Sequence, residues 1–152
     1  MSKLPKNPLI SEILQKVSNA KTKQEKIQIL RENETPALKK LLIWNFDPEV
    51  KSALPDGEVP YEKNDAPVGT EHTRLDQQDR LFHNFVIGGN FDLSQSKKEV
   101  MFVQMLEGLH ETEAEVLCLV KDKSLGKKYR ITQNVVGEAF PTIVWAVNRS
   151  TN

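Results

Sequence analysis

Helix-start signals recur along this chain, each ahead of apolar residues at helical spacing, and together they leave little room for any other architecture. Asn7-Pro8 offers a cap followed by proline at the first helical position, where a missing N–H is harmless. Ile10, Ile13, Leu14 and Val17 follow at i, i+3, i+4 and i+7, which predicts a helix from about 8 to 19. Thr22 to Glu25 forms a capping box ahead of Ile27 and Leu30, and Thr35-Pro36 repeats the cap-plus-proline device ahead of Leu38, Leu41, Leu42 and Trp44. Asp47-Pro48 allows one more helical turn to about Leu54.

The second half reads the same way after an interruption. Pro55 to Thr70 (PDGEVPYEKNDAPVGT) holds three prolines and two glycines without apolar periodicity, a long irregular connection of the kind that is either functional or disordered. Leu75, Phe82, Phe85 and Val86 predict a helix over 74–87, stopped by Gly88-Gly89. Capping boxes at Ser96–Glu99 and Thr112–Glu115 open two more, and a last short helix starts near Thr132 and ends at Pro141. No strand alternation competes. The expected fold is all-α: a single compact domain, 1–152, of seven to eight short helices. Its N-terminal helices occupy 7–54, its Pro/Gly-rich loop 55–73, its C-terminal helices 74–141 and its tail 142–152, where TIVWAV is suited to pack as an extended strap.

At 152 residues, 38% hydrophobic and 28% charged, the chain suits one core, and no apolar run approaches the ~20 residues of a membrane span. No membrane partner is expected. The N-terminus lacks a signal-peptide core, so a cytoplasmic location is expected. Cys118 is the sole cysteine, which excludes an internal disulfide and a cysteine-rich zinc site within one chain; within EVLCLV it reads as a buried small apolar residue.

The zero net charge conceals a segregation. Residues 1–31 carry +5, residues 32–115 carry −9 and residues 116–152 carry +4. If the termini meet in space, the molecule has a positive face suited to a polyanion; the alternative is solvated helix faces whose charges cancel locally.

The stretch LGKKYRITQNVV gives that face a design. Lys127, Lys128 and Arg130 precede a helix capped by Thr132, with Gln133 and Asn134 on its first turn, so cations stand beside unpaired N–H groups that favour phosphate. Gly126 is placed to let the turn approach a backbone closely. Lys21, Thr22, Lys23 and Lys26 repeat the arrangement at the second helix. Two such turns suit sugar-phosphate tracking rather than base reading, provided the fold juxtaposes them. The competing view is an ordinary inter-helix turn with solvated lysines.

Other constellations lead less far. Glu107 to His110 has the Glu-x-x-His spacing of di-metal bundles but no second copy, so His110 reads as a helix-end residue. His72 and His83 have no paired ligand spacing, and no nucleophile elbow, P-loop or zincin motif occurs. No cofactor or metal and no enzymatic activity are expected.

Two stretches carry a resemblance. ILQKVSNAKTKQEKIQILRENETPALKKLL and LCLVKDKSLGKKYRITQNVVGEAFP resemble the opening helices and closing element of the N-terminal DNA-binding domain of T-even-phage-type ATP-dependent DNA ligases, over roughly 9–54 and 97–141. ALPDGEVPYEKNDAPVGTEHTRL and MFVQMLEGLHETEAEVL resemble a family of small uncharacterised proteins of T-even-like cyanobacterial phages. The ligase resemblance implies an all-helical domain lying along the minor groove of double-stranded DNA. It would give Lys127, Lys128, Arg130 and Thr132 the backbone-contact role, with Lys21, Thr22 and Lys23 at the early turn. Ligases continue into a nucleotidyltransferase domain with a Lys-x-Asp-Gly signature; here the nearest string is Lys63-Asn64-Asp65-Ala66, so ligase activity is excluded. The expectation is a stand-alone, phage-encoded DNA-binding protein. The rival is a virion-associated or protein-interaction module whose acidic middle, or whose 55–70 loop, engages a basic host or phage protein, imitation of DNA included.

Overall fold

The computed structural model of the chain describes residue 4 and residues 7–64, 66, 67 and 72–143. Its α-helices are α1 (Ile10–Asn19), α2 (Lys23–Glu32), α3 (Pro36–Phe46), α4 (Gln95–Gly108), α5 (Glu111–Lys121) and α6 (Gln133–Ala139), with 3-10 turns at Leu75–Gln77, Asp79–Phe85 and Leu125–Lys127. The all-α reading holds. The apolar stripe of α5 (Ala114, Val116, Leu117, Val120) is fully buried and packs against α1, α3 and α4, while α6 packs on α2, and one continuous core runs through all six helices. Two isolated bridges, Ser52 with Val86 and Thr73 with Leu109, are the only extended pairings among the described residues.

Local capping explains where most helices begin. Thr22, Thr35 and Thr132 accept from the amides of Glu25, Leu38 and Val135, as their sequence patterns require. Two starts lie earlier than the capping boxes suggested. Ser94 rather than Ser96 caps α4, and His110 rather than Thr112 caps α5, its ring accepting from Thr112 N–H. The Thr112 hydroxyl instead lies 2.9 Å from that of Ser11 on α1. At α1 the cap position falls to Leu9 rather than Asn7, and the Glu12 carboxylate accepts the Leu9 amide at 2.8 Å.

The helix expected over 74–87 is replaced by two 3-10 turns, and the turn expected from Asp47-Pro48 closes with Val50 N–H on Asp47 O at 3.1 Å but gives way to an extended segment from 51 instead of running to Leu54. Ala53 N–H donates to Phe85 O and Ile87 N–H to Lys51 O, both at 2.8 Å, so residues 51–53 and 85–87 pair with each other. Phe82 and Phe85 point inward to Trp44, and Phe85 meets Phe102 edge-on with ring centroids 5.2 Å apart. The Gly88-Gly89 stop is sterically enforced: Gly88 has φ 85°, and a Cβ on Gly89 would lie 1.8 Å from the His83 carbonyl oxygen. The tail beyond Ile143 lies outside the described residues.

Polar anchors on α5 set the positions of the other elements. Glu113 is wholly buried, and its two oxygens accept the amides of Ile10 and Leu75, each at 2.9 Å. These are the first N–H groups of α1 and of the first 3-10 turn, donors that have no partner within their own helix. Arg74, paired with Asp76, donates to Pro8 O nearby, and at Glu113 the charge of Asp76 opposes that of Arg74. Burial raises the Glu113 carboxyl above its ordinary value of 4.5 despite the two amide donors and Arg74.

At the other end of α5, the buried Lys121 ammonium donates to Pro55 O at 2.6 Å and Gly57 O at 3.1 Å, and Lys123 donates to the carbonyls of Asp47 and Val50. Lys123 ends α5 with φ 55°, a left-handed position that usually favours glycine.

Glu113→Ala should cost about 3 kcal/mol in urea unfolding, because it orphans two buried amide donors. Glu113→Gln isolates the pH effect. A raised native carboxyl favours folding below the ordinary value, and that contribution fades as pH climbs through the native value. Urea midpoints compared at pH 7 and pH 4 should therefore shift the gap between the two proteins toward wild type on acidification. An unchanged gap would refute the assignment.

Candidate nucleic-acid interface

The 125–134 segment is held by alternation. Leu125, Tyr129 and Ile131 are buried, whereas Lys127, Lys128, Arg130, Thr132, Gln133 and Asn134 are exposed. Leu125 N–H donates to the Asn45 side chain of α3 at 3.0 Å, and the Tyr129 and Ile131 amides close turns onto Leu125 O and Tyr129 O. Each inward residue fixes an outward cation. Burial pushes the Tyr129 phenol up to about 12, so the residue is a neutral core group beneath that surface.

The N-terminal turn lies directly against this segment. Arg130 N–H donates to the Ser18 hydroxyl at 2.9 Å, and the Lys26 ammonium donates to Arg130 O at 2.6 Å, so the end of α1 and the start of α2 grip the backbone of a single residue of the C-terminal turn. Along the same interface Arg31 donates to Ala139 O at 3.1 Å and Glu138 O at 2.8 Å, completing the carbonyl end of α6. The fold thus brings the two turns together, which the sequence posed only as a condition.

Their charges are only partly available. Lys23 forms an ion pair with Glu138, and Lys128 forms one with Glu115 while lying over the Tyr129 ring. Lys26 is engaged with Arg130 O, and Thr22 and Thr132 are occupied as caps. Lys21, Lys127 and Arg130 have no carboxylate partner for their side chains among the described residues. Lys121 and Lys123, counted in the basic C-terminal third, contribute nothing to an outer face, because both hold internal carbonyls.

Gly126 has no positive φ, and a Cβ there would meet only Ile131 O, at 3.9 Å, so the fold itself does not demand glycine at this position.

The acidic middle forms a second feature. The loop from Gly57 to Lys63 is tethered by Lys121 and Asp122 at one end and by a Glu62 N–H to Glu107 bond of 2.9 Å at the other. Between these tethers it arches over α5 and encloses a groove of about 1000 Å³ lined by Glu58, Tyr61, Glu111, Glu115, Cys118 and Asp122, with Lys63 and Lys128 also in its wall. Cys118 is half-buried there rather than a core residue, and burial pushes its thiol up to about 11. Burial, with Cys118, Glu115 and Glu111 adding to it, likewise raises the Tyr61 phenol. The His72 ring packs edge-on against His110, a contact that no ligand spacing suggested.

Sequence patterns missed Ser18, Arg31 and Glu138. None has a local signature, since each acts on a residue more than a hundred positions away. No helix among the described residues is long and apolar enough to cross a membrane. Comparison with known proteins finds no match among curated proteins and none among solved structures. A family model does match, over residues 13–127, from within α1 through the 3-10 turn at Leu125–Lys127, so it takes in Lys21–Lys26 and the groove's lining except Lys128, and stops short of Lys128–Asn134. The chain belongs to this family, the family of unknown function DUF6433.

Proposed function

We propose that this chain is a non-enzymatic, phage-encoded protein that binds double-stranded DNA through its phosphate backbone with little sequence preference. One observation carries the reading: the Arg130 backbone is held between Ser18 and Lys26, so the turns at 21–26 and 127–134 adjoin. The resemblance to ligase DNA-binding domains points to the same residues. Gly126 adds support, because a glycine that the fold does not need leaves room for an incoming backbone. Lys21, Lys127 and Arg130 would meet phosphates first. Lys23 and Lys128 keep Glu138 and Glu115 as partners and border the contact without neutralising a phosphate, so three cations carry it.

A second reading is favoured by the groove beneath the 57–63 arch, where Glu58 and Glu111 have no ion-pair partner among the described residues and suit a basic segment of a host or phage protein. A pull-down treated with nuclease separates the two. A single partner retained without nucleic acid supports the second reading, and loss of all retention with the DNA supports the first.

Duplex binding should weaken with salt at a log–log slope of roughly −3, from about three unpaired cations at ~0.9 each. Lys127→Ala combined with Arg130→Ala should flatten that slope by about 2 without moving the melting temperature, since both side chains are exposed. Gly126→Ala should leave folding intact yet weaken binding. Absence of duplex retention even at low salt would end the proposal.

Glu138→Gln gives the opposite sign. Freed of its carboxylate, Lys23 should raise low-salt affinity and steepen the slope by about 1. A fall in affinity on that substitution would show that Lys23 and Glu138 serve packing rather than binding.

A further inference from the structure

The least explained surface lies far along the chain from the basic turns. Phe91 is 90% exposed, the most exposed large apolar side chain among the described residues, and it stands on a turn that is firmly held. Asn90 donates to the Asn84 side chain at 2.8 Å and accepts the Asp92 amide at 3.0 Å, while Gly89 fits against the His83 carbonyl with no room for a Cβ. A rigid turn presenting an aromatic ring to water gains nothing within one chain.

Two residues further on, Leu93 joins Ser96, Lys97, Val100 and Met101 in lining a cleft of about 250 Å³ at the start of α4, almost wholly apolar within. Val100, on the outer face of α4, is 54% exposed. Charge follows the same division. Asp92 adjoins the knob and Lys97 adjoins the cleft, and neither has a side-chain partner among the described residues, whereas nearby Glu99 is engaged by Gln95 at 3.0 Å.

From this pairing of knob and hole on one short stretch, we infer that the chain forms a two-fold homodimer in which Phe91 of each copy enters the Leu93–Val100–Met101 cleft of the other. A two-fold contact is reciprocal: the operation that seats one Phe91 seats both. It also sets each Asp92 beside the partner copy's cleft-rim lysine, so apolar and charged features are complementary at once. A second copy fits better than an unrelated apolar ligand, because the complement of the cleft, an exposed aromatic ring with an acid beside it, stands two residues from the cleft's first lining residue.

Analytical ultracentrifugation of the full chain tests this without nucleic acid. The wild type should show a concentration-dependent monomer–dimer equilibrium. Phe91→Ser, which removes a side chain that contributes little to the fold, should raise the dimer dissociation constant at least ~30-fold, as loss of a central aromatic anchor does. Asp92→Lys or Lys97→Asp alone should weaken the dimer several-fold, and the two together should restore it. A wild type that stays monomeric up to millimolar concentration, or a dimer indifferent to Phe91→Ser, overturns the proposal.

Discussion

The buried carboxylate of Glu113 is the constraint on which the arrangement of the first half of the molecule rests. A hydrophobic core fixes composition and volume but tolerates sliding; two amide donors aimed at two oxygens do not. By accepting the first amides of α1 and of the Leu75–Gln77 turn, α5 sets where both elements begin. Its far end acts in the same manner with the opposite charge. Lys121 and Lys123 collect the carbonyls of residues 47, 50, 55 and 57, so the connection after α3 is held without secondary structure of its own. One helix thereby serves donors with an acid at its start and acceptors with cations at its end.

That economy changes what the net charge of each segment means. Two of the six cations after residue 115 are taken inward by α5, and one more, Lys128, faces Glu115. The acidic middle is reduced likewise, since Glu113 never reaches the surface and Glu115 has a cationic partner. The basic surface that remains is small and partly self-compensated. Such a surface suits weak, salt-sensitive backbone contact rather than tight specific recognition, where base readout would have to supply the discrimination.

How far the sequence could be read follows from the range of each interaction. Threonine caps at 22, 35 and 132 were legible because donor and acceptor lie three residues apart. Ser96 and Thr112 misled because Ser94 and His110, equally able to cap, precede them by one turn or less. The 74–87 segment misled because Phe82 and Phe85 satisfy helical spacing while the chain around them winds more tightly in 3-10 turns. The contact between Lys26 and Arg130 spans 104 residues and left no local trace. Glu113 and Lys121 did leave one. Glu113 stands at i, i+3, i+4 and i+7 with Val116, Leu117 and Val120, and Lys121 continues the stripe of Ala114 and Leu117. A charge on the apolar face of a helix signals a buried partner elsewhere, and the capping-box pattern obscured it.

The proposed phosphate contact and the proposed self-association bear on each other through geometry. The basic surface belongs to α1, α2 and the segment leading into α6, whereas the Phe91 knob and its cleft belong to the start of α4, which packs on α5 rather than on α2 or α6. A dimer joined through α4 would therefore leave both basic surfaces uncovered. If a duplex could reach the two together, the second engagement would be intramolecular, and its effective concentration rather than any new contact would set the gain. With so few unpaired cations in each copy, doubling the contacts on one duplex would strengthen the proposed binding more than improving any single contact would.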